Sequence, residues 1–186
     1  MTRFLPLFKP AVTAILMITA VPAFAQTKEV DLPDLLAQLA DPDTRNWQQV
    51  ERQIRTEWSR SGSSAMDLLM QRGEKALEDE DYDAAFEHFS ALTDHAPDFA
   101  EGWNGRATAL FHKELYGPAM EDIGKTLAIN PKHFGALTGL AVILQSVGMY
   151  EEALEAWYMV EAMHPHRPEM QEAIKALEAQ VAGTAL

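Results

Sequence analysis

Between residues 66 and 167 the apolar and small positions recur with a period of 34. Tyr82, Tyr116 and Tyr150 share one register, and Ala85, Ala119 and Ala153 a second. Phe89, Ile123 and Trp157 form a third, and Pro97, Pro131 and Pro165 a fourth. Upstream, Gly73, Ala107 and Ala141 align as small residues, and Leu69, Trp103 and Leu137 as large apolar ones. This spacing predicts two antiparallel helices per unit, joined by a short turn. The small residues mark where the two backbones approach, because bulk there would force them apart. The large ones fill the wedges on either side. Each proline, lacking an N–H, stops the second helix of its unit. One hairpin cannot bury its own apolar face, so the units at 66–99, 100–133 and 134–167 must stack.

These positions resemble the tetratricopeptide repeat family, whose pattern is W-x2-L-G-x2-Y, then A-x3-F, then P. The second unit reads Trp103-x2-Arg106-Ala107-x2-Leu110, Ala119-x3-Ile123, Pro131. Arg72 and Arg106 stand where the family has leucine, and Leu140 keeps it. The resemblance implies an all-α, right-handed solenoid of helix-turn-helix hairpins. It implies a non-enzymatic protein without a cofactor, which docks an extended or helical segment of a protein partner in a concave groove. The groove positions it assigns include Met70 and Glu74 in the first unit. The second unit supplies Asn104, Gly105, Thr108 and His112, and the third Gly135, Thr138, Gly139 and Val142. Members that grip a chaperone's C-terminal carboxylate place lysine, arginine and asparagine at several such positions. Here Met70, Glu74, Gly105, Gly135 and Gly139 stand instead, so that clamp is absent.

Four glycines fall on the first helices: Gly102, Gly105, Gly135 and Gly139. Glycine inside a helix costs about 1 kcal/mol relative to alanine, so each needs a reason. Gly102, near its helix start, reads as packing. Gly135 and Gly139 fit two readings equally, close approach of a partner or tight packing between helices. Glu74, Glu78 and Glu101 make one end of the groove acidic, which favours a basic or neutral segment.

The flanks extend the pattern. Residues 168–186 place Met170, Ile174, Leu177 and Val181 on one helical face, with Gly183 expected just past the helix end. This reads as a helix capping the last repeat. Residues 26–65 read as a degenerate helical pair capping the first repeat: Trp47, Val50 and Ile54 copy the spacing of Tyr82, Ala85 and Phe89. Ser59–Ser64 then forms a flexible connector.

Residues 1–25 change the compartment. Arg3 and Lys9 precede an apolar run that ends in Ala23-Phe24-Ala25, as in a cleavable export leader. From Ala11 to Ala25 the run is interrupted by Pro22 and falls short of the ~20 residues of a spanning helix. Cleavage after Ala25 would leave a periplasmic or secreted chain with no stable membrane anchor. The chain has no cysteine, so neither a lipid anchor nor a disulfide framework is available. Loss of the leader's two basic residues takes the net charge from −13 to −15. Such a surface repels phosphate backbones and argues against nucleic acid as a partner.

The resemblance and the leader together imply an envelope adaptor or scaffold for an assembled complex. Two rivals stand beside it. One is a periplasmic chaperone for apoprotein or outer-membrane clients. The other is a metal-binding or enzymatic role around His164 and His166, with His133 as a third imidazole, although Pro165 breaks any helical ligand pairing. The acidic run Glu78–Asp81 lacks the spacing of a calcium loop and reads as a solvated turn. No Ser/His/Asp order, nucleotide loop or HExxH appears.

Overall fold

Each tyrosine of the period opens a helix, and each of those helices stops two positions before the period's proline. The computed structural model describes residues 31–184. The expected leader therefore lies outside the described residues. Among these residues there are nine helices and no strand. They are α1 (Leu32–Ala40), α2 (Trp47–Trp58), α3 (Ser64–Glu78), α4 (Tyr82–His95), α5 (Ala100–His112), α6 (Tyr116–Ile129), α7 (Phe134–Ser146), α8 (Tyr150–Met163) and α9 (Pro168–Thr184).

The pairs α3–α4, α5–α6 and α7–α8 are the three hairpins, and α4 on α5 and α6 on α7 stack them in sequence. Ala85, Ala119 and Ala153, the small residue of each second helix, are fully buried where the two backbones meet. Phe89 shows why glycine recurs beside them. Its ring is lodged against Gly73 of α3 and Gly105 of α5, and a Cβ on Gly73 would lie 2.6 Å from ring atom Cζ. A Cβ on Gly105 would come closer still. Two missing methyl groups thus make the slot for one aromatic ring.

The turns inside the hairpins repeat as well. Glu80, Glu114 and Gly148 occupy the same place and all have positive φ, at 59°, 60° and 81°. This left-handed conformation ends the first helix of each unit and costs a non-glycine residue about 1 kcal/mol. Glu114→Gly is therefore expected to raise stability by up to about 1 kcal/mol, read as a higher urea midpoint with unchanged slope. A lower midpoint would show that the glutamate compensates for its backbone.

At the C-terminal end, α9 packs on α8 and buries Met170, Ile174 and Leu177. It runs through Gly183 to Thr184, so that glycine lies inside the helix and does not end it.

The N-terminal pair departs from expectation. α1 and α2 do pack on each other, but they do not cap the first repeat. α1 packs against α8, and Phe134, the first residue of α7, inserts into a core of Leu39, Val50 and Ile54. Trp58 lies over Phe134 with ring centroids 5.0 Å apart, and Trp47 lies 5.4 Å from His164 and 5.6 Å from His166. The reason is local. Gly62, at φ 77°, stands where a closing proline would fix the exit direction. The connector around it leaves the end of α2 beside α3, while the rest of the hairpin lies against α7 and α8. The apolar stripe of α2 then finds its complement in the third repeat.

Candidate functional site

The first helices α5 and α7 run side by side and between them bound a hollow of about 270 Å³. Asn104, Thr108, Phe111 and His112 line it from α5, and Gly135, Thr138, Gly139 and Val142 from α7. Ala107, Ile143 and Ile123 of α6 complete its apolar floor. The Thr108 hydroxyl donates to the Asn104 carbonyl at 2.9 Å, and the Thr138 hydroxyl to the Phe134 carbonyl at 2.8 Å. With their protons committed to the helix, both oxygens keep lone pairs to accept hydrogen bonds. His112 is exposed and stacks face to face on Tyr82, with centroids 4.5 Å apart. The site is an apolar slot edged by hydrogen-bonding groups.

The glycines separate by what faces them. A Cβ on Gly139 would meet only Ile123 Cδ1 at 3.5 Å, an ordinary contact, so this glycine opens the hollow and relieves no clash. On Gly135 it would press on the His133 ring at 3.2 Å. Gly102 faces Leu92 and Thr93 of α4 and serves packing. Gly105 also serves packing and is not a groove residue: it is buried, and the Phe89 ring fills the space beside it. The resemblance assigned it by position alone, and the aromatic that fills the slot belongs to the neighbouring hairpin.

Met70 and Glu74 lie apart from the hollow. They share a second recess, of about 280 Å³, with Asp67 and Gln71 of α3 and with Thr56, Ser59 and Arg60 at the end of α2. Partial burial and the charges of Glu101 and Glu78 hold the Glu74 carboxyl above its ordinary value. A cation brought there would relieve the repulsion.

His133 and His164 make structural contacts. His133 caps α7: its Nδ1 accepts from the Ala136 N–H at 3.0 Å, so Nε2 carries the proton, 2.9 Å from a Glu101 carboxylate oxygen. Its ring stacks on Trp58 with centroids 4.7 Å apart. His164 is fully buried between α2 and the start of α9. Its Nε2 lies 3.2 Å from Glu51 and 3.3 Å from Arg167 Nε, and Arg167 also pairs directly with Glu51. Among the described residues, no group of three or more acidic, histidine or cysteine side chains is arranged to hold a metal.

Burial lowers the His164 pKa, against the raising effect of Glu51 and with the help of the Arg167 and His166 charges. The docked, neutral imidazole is therefore favoured at higher pH, and its contribution is lost as pH falls from about 6.5 through the depressed value. Burial pushes Glu51 up, but bonds from Arg55 and His164 and the charge of Arg167 outweigh it, so its carboxyl is held low. That contribution fades further below pH 4.5, in the same direction. In an NMR titration the His164 ring proton is expected to show a midpoint below 6.5, moving lower still in Glu51→Gln and higher in Arg167→Gln. Opposite movements would overturn this account of the cluster.

Arg106, the departure from the leucine pattern, has a partner that the sequence did not identify. It forms a two-pronged ion pair with Asp122 of α6, with Nε–Oδ2 at 2.6 Å and a second contact at 2.8 Å, and donates to Thr93 at 3.2 Å. Trp103 stacks under the guanidinium.

No family model matches the chain. Over 155 residues it is 38% identical to a TPR repeat-containing protein of Rhizobium etli, covering 82% of this chain and 75% of that relative. Solved structures share the fold. The TPR2B domain of yeast Sti1, in a complex with pHsp70, superposes with a TM-score of 0.59 at 21% identity, covering 63% of this chain and 99% of the domain. The Yersinia enterocolitica type III secretion chaperone SycD, in complex with a peptide of the translocator YopD, gives 0.59 at 15% identity, covering 63% and 95%.

Proposed function

Since the chain belongs to the tetratricopeptide repeat proteins, we propose that it is a non-enzymatic interaction protein that holds a segment of a partner protein in the hollow between α5 and α7. The observation that carries this is the construction of the hollow. It is open and apolar at its floor, hydroxyls with spare lone pairs stand at its edge, and Gly139 widens it without relieving any clash. A bulky apolar side chain suits the floor, and backbone N–H groups suit Thr108 and Thr138. The raised Glu74 carboxyl and its acidic neighbours favour a segment with a basic flank. The complexes of Sti1 TPR2B with pHsp70 and of SycD with a YopD peptide, formed by proteins that share the fold, support this mode of use. The leader read in residues 1–25 supports a periplasmic setting and a role in assembling or regulating an envelope complex.

Gly139→Leu tests the site. The leucine would occupy the hollow, while the helix exchanges a glycine for a strong helix former. In crosslinking pull-downs from the periplasm, the variant is expected to lose the partners captured by the wild type, at unchanged helicity and melting temperature. Undiminished capture by the folded variant would rule out the hollow as the binding site.

A further inference from the structure

The α1–α2 hairpin is held to the third repeat by a junction whose polar groups are incompletely matched. Its apolar part is sound: Phe134 is buried among Leu39, Val50 and Ile54, with Trp58 over it. Its polar part is not. His164 is fully buried and His166 partly so, yet His164 Nδ1 and His166 Nε2, both shielded from solvent, have no hydrogen-bond partner. Both tautomers of His164 leave that nitrogen unmatched, because Glu51 and Arg167 both approach Nε2. A buried polar atom without a partner loses its water and gains nothing in return. This lowers the stability of the docked hairpin relative to one standing free. The hairpin is tied to the repeats only through the short connector around Gly62, at a positive-φ glycine suited to act as a pivot. The surface beneath it borders the hollow without lining it: His133, stacked on Trp58, is the residue that a Cβ on Gly135 would touch.

We propose that the face formed by His133, Phe134, His164 and Arg167 is a second docking surface, a receptor for an amphipathic helix that α2 occupies in cis and that a partner helix takes by displacing it. α2 itself states the chemistry of that partner. Its bound face presents Trp47, Val50, Ile54 and Trp58, with the Glu51 carboxylate set against Arg167. A competing helix would need an aromatic at each end, three turns apart, branched apolar residues between them, and an acidic group one turn after the first aromatic. Because α2 is tethered, it competes at an effective concentration on the order of millimolar, so the surface is masked until the partner is abundant or strong. The proposal does not depend on the hollow, which is a separate site.

The probe is a fluorescent peptide of residues 45–60, titrated into the full chain and followed by anisotropy. The chain has no cysteine, so Glu51→Cys with Arg167→Cys can be bridged by a short bis-maleimide in the already folded protein. Trp58→Ala in the chain, with helicity checked, weakens the cis contact by other means. The Trp58→Ala chain is expected to bind the peptide at least about tenfold more tightly than the wild type. The bridged chain should bind it at least about tenfold more weakly than the unbridged double variant. A peptide with alanine in place of Trp58 should bind none of them. Equal binding by bridged and unbridged chains would overturn the proposal, as would no binding by the Trp58→Ala chain at 100-fold peptide excess. Gly139→Leu should leave peptide binding unchanged, so failure at the hollow is read separately.

Discussion

Asp122→Ala is expected to lower stability by about 3–5 kcal/mol, the usual cost of leaving one member of a buried ion pair behind. Asp122 is almost completely buried, and Arg106 retains little exposure, with side-chain values of 3% and 17%. The two-pronged bond to Asp122 raises the Arg106 pKa despite the opposing effect of burial, so the guanidinium cannot shed its charge to escape. Removing the carboxylate strands that charge between α5 and α6. The hydroxyl of Thr93 then remains as its sole hydrogen-bond acceptor of those observed. For a chain of this size the melting temperature should fall by roughly 10 °C. The double variant Arg106→Leu with Asp122→Leu returns the family's leucine at residue 106, sets an apolar residue opposite it, and should recover most of the loss. If Asp122→Ala melts within 2 °C of the wild type, the pair contributes little and the stacking of Trp103 on Arg106 must dominate.

The second large effect centres on Phe89. Phe89→Ala should cost about 3–5 kcal/mol, through lost burial and the cavity that remains. Gly105→Ala should cost about 1–3 kcal/mol by overpacking, since its methyl group would be driven into the ring. The two sites are not independent. Phe89→Leu with Gly105→Ala trades ring for methyl within one slot, and should be more stable than the sum of the single changes predicts. Urea unfolding of the four proteins gives the coupling. An additive result would mean that Phe89 relocates freely and that the glycines were never shaped around it.

The fold was legible wherever packing repeats. Tyr82, Tyr116 and Tyr150 open helices because the same hairpin geometry recurs in each unit, and the prolines stop those helices by a rule that needs no context. Pairings that occur only once were hidden. Asp122 aligns with His88 and Ala156 in the neighbouring units, so no periodic signal joins it to Arg106. Gly105 could be placed on a first helix by sequence, but its facing residue lies in the preceding hairpin. The hairpin's destination was hidden for the same reason, although there was a trace of it. His133 and Phe134 stand where the earlier units have Phe99-Ala100 and Ala65-Met66, and a histidine followed by a large aromatic at a helix start signals a contact outside the repeat. Seven of the positions assigned to the groove line one hollow, because α5 and α7 present equivalent faces side by side.

The contact between Glu51 and Arg167 joins residues 116 positions apart. A linear array of repeats ordinarily folds through neighbour contacts alone and can fray from either end. Here, among the described residues, the first two helices have their binding surface on α7, α8 and the approach to α9. Until α7, α8 and the start of α9 exist, Trp47 and Trp58 have nothing to close upon. A growing chain must therefore carry an undocked, aromatic-rich hairpin until those later residues have been made. Closure should then appear as a late kinetic step, slower than the formation of the repeats, because it must bring distant parts of the chain together. Once made, it ties the two ends of the array into one cooperative unit.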